Sequence, residues 1–91
     1  MYNIGLLRDK LDNIVYRIHE CVENRQQLND TLVYGNYQFL IGKYYGIISI
    51  FEYVNREEFV KRYEQDEAQL DVWAQWADKL YRKLTGKDGD I

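Results

Sequence analysis

Nine positions in the first third of the chain, Ile4, Leu7, Leu11, Ile14, Ile18, Cys21, Arg25, Leu28 and Leu32, alternate by threes and fours without a slip. That spacing returns to one side of an α-helix at every step, whereas a strand would throw successive members onto opposite faces. The same alternation recurs near the other end, at Phe59, Tyr63, Asp66, Leu70, Trp73, Ala77, Leu80 and Leu84. Arg25 and Asp66 are the only charged members of the two series. Each series is a coiled-coil-like heptad seam over four repeats.

Between the seams lies Tyr34 to Val54, in which Lys43 and Glu52 are the only charged side chains. Such a stretch reads as a central helix covered by longer neighbours. The chain has no proline, and its 46% hydrophobic and 30% charged residues suit long uninterrupted helices better than a turn-rich β fold. Gly42, Gly46 and Ser49 fall on one face of this helix, where another backbone could approach closely. A glycine inside a helix costs roughly 0.5–1 kcal/mol relative to alanine, so two of them one turn apart call for a packing or functional reason.

Local punctuation sets the expected boundaries. Gly35-Asn36 reads as a glycine C-cap followed by an N-cap. Asn55 with Glu58 forms a capping-box pattern, and Val54 with Phe59 occupies the positions of a hydrophobic staple. Lys79, Arg82 and Lys83 suit the negative end of a helix dipole, and Gly86 reads as its C-cap. The expected fold is therefore all-α: an antiparallel three-helix bundle or long helical hairpin, with helices at about 3–33, 37–53 and 56–84. Residues 1–85 form a single helical domain and 86–91 a flexible tail. The competing reading joins the second and third helices into one, from Tyr37 to Leu84.

These lengths carry two further expectations. A second helix of about seventeen residues returns along only part of the first, so apolar stripes overhang at both ends. Leu7, Leu11 and Ile14 at one end, and Trp73, Trp76, Leu80 and Leu84 at the other, become candidate interface residues, since exposed stripes of that size usually meet a partner. The alternative is that the helices tilt and bury them internally. The same count sets position 66 opposite position 25 or so, where Arg25 and Asp66 would meet as a buried ion pair that fixes register. Otherwise each charge lies at a bundle edge.

Charge and chemistry narrow the function. A net charge of −3 argues against a general nucleic-acid binder, and there is no basic tract for an acidic membrane. Asn36, Gln38, Lys43 and Glu52 interrupt the one membrane candidate. The N-terminal MYNIGLLRDKLD carries charge by residue 8 and lacks the apolar core of a secretory signal. A single cysteine excludes an internal disulfide and suits a reducing compartment. His19 stands alone, without a second histidine or cysteine to build a metal site. Glu64, Asp66 and Glu67 form a charged run without the histidines of a di-metal bundle. No phosphate-binding loop and no nucleophile–base set is present, so no catalytic residue, cofactor or metal is expected. Tyrosines 34, 37, 44, 45 and 53 could stack on a nucleobase, with Lys43 supplying a charge, although aromatics at helical spacing usually build core.

The segment Leu32-Val33-Tyr34-Gly35, followed by Tyr37-x4-Gly42-x3-Gly46-Ile47, resembles a pattern in small, mainly helical proteins of tailed bacteriophages. There a leucine and a glycine end a long first helix, and a tyrosine precedes a Gly-x3-Gly-Leu or Gly-x3-Gly-Ile helix. The match covers about sixteen residues; Tyr44, Tyr45 and the tryptophan-bearing third helix depart from it. The resemblance implies a non-catalytic phage structural or virion-associated protein, placed in the virion or host cytoplasm. It would assemble with itself or with a capsid, portal or tail component, and no catalytic residue carries over. The alternative is a small phage-encoded inhibitor that binds a host protein or sequesters a nucleotide signal.

Overall fold

A single residue, Asn55, both ends one helix and begins the next. Its backbone N–H donates to the Phe51 carbonyl at 2.9 Å, and its own carbonyl accepts from Phe59 N–H at 2.9 Å. Its side-chain oxygen accepts from Glu58 N–H at 3.1 Å, satisfying a backbone donor that the first helical turn leaves free. Around this hinge a computed structural model, described here for residues 3–23 and 29–86, shows three helices: α1 Ile4–Glu23, α2 Asp30–Val54 and α3 Arg56–Thr85.

The third helix matches its expected limits almost to the residue. Glu57 and Glu58 lie in its first turn, Arg82 and Lys83 in its last, and Gly86 closes it in the left-handed conformation at φ 75°. The break at Asn55 rules out one continuous helix over residues 37–84.

The boundary between α1 and α2 is a correction. Gly35 and Asn36 do not cap anything; they are exposed residues inside α2, and Gly86 alone has a positive φ among the described residues. The true cap is Asn29, whose side chain accepts from Leu32 N–H at 2.9 Å, with Asp30 in the first turn where the helix dipole favours a carboxylate. One cap and one dipole contact, together with the packing of Val33 and Tyr37, outweigh the modest helix cost of Gly35.

Three helices of 20, 25 and 30 residues run up, down and up. α2 is the middle element and packs on both neighbours. Tyr37 meets Trp76 edge-on at 5.4 Å, and Tyr34 lies 5.7 Å from Tyr81, which sets the antiparallel register of α2 and α3. α1 and α3 are parallel, tied by the ion pairs Arg8–Glu58 and Asp12–Arg62, whose members advance together by four residues. The core is built from Leu7, Leu11, Ile14 and Ile18 of α1, Tyr37, Tyr44, Ile48 and Phe51 of α2, and Leu70, Trp73 and Ala77 of α3. At 1.5 Å per residue α3 is about 45 Å long, and it sets the 48 Å long axis of the molecule.

Candidate functional site

Lengthening α2 at its N-terminal end removes the overhangs. Leu7, Leu11, Ile14, Trp73 and Leu80 are buried inside the chain, Leu11 completely. Trp76 is half-buried against Tyr37, and only Leu84 of the seven expected interface residues stays exposed. An α2 of 25 residues, instead of about seventeen, covers the stripes of both neighbours. The helices bury them internally.

The expected register pair is described only on its Asp66 side. Arg25 lies outside the described residues, and Asp66 is buried with other partners. Arg62, one turn earlier on α3, donates its Nε–H to Asp66 Oδ2 at 2.8 Å, and the Tyr44 hydroxyl of α2 donates to the same oxygen at 2.7 Å. A second Arg62 nitrogen reaches Asp12 of α1. The cluster therefore links all three helices: the buried Asp66 carboxylate joins α2 to α3, and Arg62 joins α3 to Asp12 of α1. Burial alone would depress the Arg62 pKa, but hydrogen bonds to Asp66 and Asp12 outweigh it and hold it above its ordinary value. The Tyr44 pKa is raised strongly, first by burial and then by the hydrogen bond to Asp66. Among the described residues no buried side-chain nitrogen or oxygen lacks a partner. The i, i+4 spacing of Arg62 and Asp66 was the sequence signal for this pair; nothing in the sequence marked Tyr44 as its third member.

Gly42, Gly46 and Ser49 do share a face, but among the described residues no helix approaches it. All three are exposed, and a Cβ placed on Gly35, Gly42 or Gly46 would meet nothing within 4 Å. The reason is angular. α1 and α3 both pack on the side of α2 that carries Tyr37, Tyr44 and Phe51, roughly opposite the glycines at 100° per residue. The open face continues the three-four alternation along its whole length: Leu32, Gly35, Phe39, Gly42, Gly46, Ser49 and Tyr53, all exposed and none charged. Leu32 is 54%, Phe39 64% and Tyr53 90% exposed. The helix thus carries two uncharged faces and, among the described residues, has a neighbouring helix on only one of them.

The tyrosines do not form one cluster with a cation. Tyr44 is core, and Tyr53 points to solvent. Tyr34, Tyr37, Tyr45 and Tyr81 line a groove of about 350 Å³ between α2 and α3. Lys43 lies on the other side of α2, its ammonium 4.9 Å from the Phe39 ring centroid. Cys21 is half-buried, donates its S–H to the Val33 carbonyl at 3.5 Å, and has its pKa pushed up by burial. Among the described residues no group of three or more histidine, cysteine, aspartate or glutamate side chains could hold a metal, and no helix is long and apolar enough to cross a membrane. The best-formed candidate site is therefore a surface, the open face of α2. Comparison with known proteins finds no matching family model, no similar curated protein and no similar solved structure.

Proposed function

We propose that this chain is a non-catalytic helical assembly protein, a phage structural or virion-associated building block, that packs through the open face of α2 with copies of itself or with a larger capsid, portal or tail component. The observation that carries this reading is the uncharged seam from Leu32 to Tyr53 on a helix whose opposite side already forms the core. A helix with apolar residues on two opposite sides favours neighbours on both, and among the described residues α2 is enclosed on only one of them. The phage assignment rests on the Tyr37, Gly42, Gly46 and Ile47 pattern.

The seam is also self-complementary. Two copies of α2 laid antiparallel about residue 44 set Phe39 of each against Ser49 of the other, Tyr53 against Gly35, and Gly42 against Gly46. Every aromatic knob then meets a small residue, as a two-fold interface requires. Burying each large side chain contributes about 1.5–3 kcal/mol.

The test is absolute mass by light scattering across a dilution series, for the wild type, Phe39→Asp and Gly46→Gln. The expected result is a wild-type dimer or higher assembly, with both variants monomeric and fully helical by circular dichroism. A wild type that stays monomeric at every concentration and is absent from purified particles would overturn the proposal.

A further inference from the structure

On the α1 side of α2, well away from the tyrosine groove, a second groove of about 290 Å³ runs between α1 and α2. Ile14, Leu40 and Ile47 form its apolar lining. Lys10 and Arg17 on α1 and Lys43 on α2 stand around it, and none of its lining residues is acidic. Lys10 and Arg17 are two helical turns apart, about 10 Å along the axis, with Asn13 between them offering an amide.

The charge of this groove is unusual for a chain of net charge −3. Elsewhere five cations are committed: Arg8, Arg56, Arg62, Arg82 and Lys83 each lie within ion-pair distance of a carboxylate. Among the described residues Lys10, Arg17, Lys43, Lys61 and Lys79 have no such partner, and three of these five converge on one groove. Like charges gathered without counter-charge raise the local potential, and they do so above an aliphatic floor that water solvates poorly. The volume is close to the lower bound, about 300 Å³, of small-molecule sites.

We infer that the α1–α2 groove binds a small organic anion, with a carboxylate or phosphate head held by Lys10, Arg17 and Lys43 and an aliphatic body laid on Ile14, Leu40 and Ile47. Both parts of the ligand are required. The head without the body leaves the apolar floor wet, and the body without the head leaves three cations without a counter-anion. Arg17 can grip a carboxylate or phosphate through two parallel hydrogen bonds, whereas the lysines act as point charges.

The inference is tested by titrating the full chain with octanoate, octyl phosphate, octanol and inorganic phosphate, following backbone amide resonances. Saturable binding of octanoate or octyl phosphate, with shifts at residues 10–17 and 40–47, is expected, together with much weaker binding of octanol and phosphate. In the triple variant Lys10→Gln/Arg17→Gln/Lys43→Gln affinity should fall by about tenfold or more, while circular dichroism and the melting curve stay unchanged, because all three side chains are exposed. Lys61→Gln/Lys79→Gln, which removes unpaired charge elsewhere, should leave affinity intact. Octanol binding as well as octanoate, equal loss in the two multiple variants, or binding only to anionic phosphatidylglycerol vesicles with no saturable uptake of the free anions would each overturn it.

Discussion

Replacing Asp66 by alanine removes the one carboxylate that α2 and α3 share in the core. The side chain is 8% exposed and Arg62 is 10% exposed, so solvent cannot stand in for it. Tyr44, itself fully buried, is left with an unsatisfied hydroxyl, costing about 1–3 kcal/mol. Breaking a buried ion pair from one side costs about 3–5 kcal/mol, but Arg62 keeps its second contact with Asp12, whose side chain is 64% exposed. The retained pair moderates the charge penalty, and a net loss of about 3–5 kcal/mol is expected. A chain of 91 residues, at about 0.05–0.15 kcal/mol per residue, has about 5–14 kcal/mol in total, so Asp66→Ala should lower the melting temperature by at least about 12 °C. Asp66→Asn keeps an acceptor for Tyr44 and should cost less. Arg62→Met/Asp66→Leu should cost less than Asp66→Ala alone, because a filled apolar site leaves no orphaned charge. The assay is urea unfolding at fixed protein concentration, followed by far-ultraviolet circular dichroism and by the fluorescence of Trp73 and Trp76. A loss below about 1 kcal/mol for Asp66→Ala, or a double apolar variant as unstable as the single one, would refute the reasoning.

Three further outcomes are expected. Gly42→Ala and Gly46→Ala should each stabilise the isolated chain by about 0.5–1 kcal/mol, since both glycines are helical and nothing within 4 Å would meet the new methyl; thermal melts of dilute protein check this. The raised pKa of Tyr44 makes its contribution fully present below the ordinary tyrosine pKa of about 10, and that contribution is lost as pH rises from there toward the folded-state value. The stability advantage of wild type over Tyr44→Phe, measured by urea unfolding at pH 7 and then above pH 10, should therefore shrink with rising pH. The Cys21 thiol, half-buried and with its pKa raised, should react with a thiol reagent at neutral pH more slowly than free cysteine, and mild urea should speed the reaction.

How much of the molecule was legible in the sequence depends on how locally each feature is encoded. α3 was readable end to end because Asn55, Glu58, the basic last turn and Gly86 each mark a boundary by their own backbone chemistry. The α1–α2 boundary was not, because the three-four pattern carries on through the connection in phase. Leu32 extends the α1 seam on paper, yet in the fold it begins the outward seam of α2. Periodicity reports which side of a helix a residue occupies and says little about where that helix stops. Moving one boundary by about seven residues turned five expected interface residues into core. Asp66 was legible as an exception that needed a partner, but the partner came from one turn away on the same helix and from a tyrosine across the hairpin.

The open face of α2 holds a tension that the single chain does not resolve. Gly35, Gly42 and Gly46 all have negative φ and open space where a Cβ would stand, so nothing in the monomer requires glycine at any of them. Together they cost the isolated helix about 1.5–3 kcal/mol. Tyr53 and Phe39 on the same face leave aromatic surface exposed to water, the Phe39 ring meeting the Lys43 ammonium. Both costs are reversed by one event, the close approach of another helix backbone, which fills the space above the glycines and removes the aromatic rings from water. The basic groove lies between α1 and α2 and shares Lys43 with the edge of the open face, where its ammonium stands 4.9 Å from the Phe39 ring centroid, so the separable results are loss of assembly in Gly46→Gln and loss of anion binding in the Lys10, Arg17 and Lys43 variant.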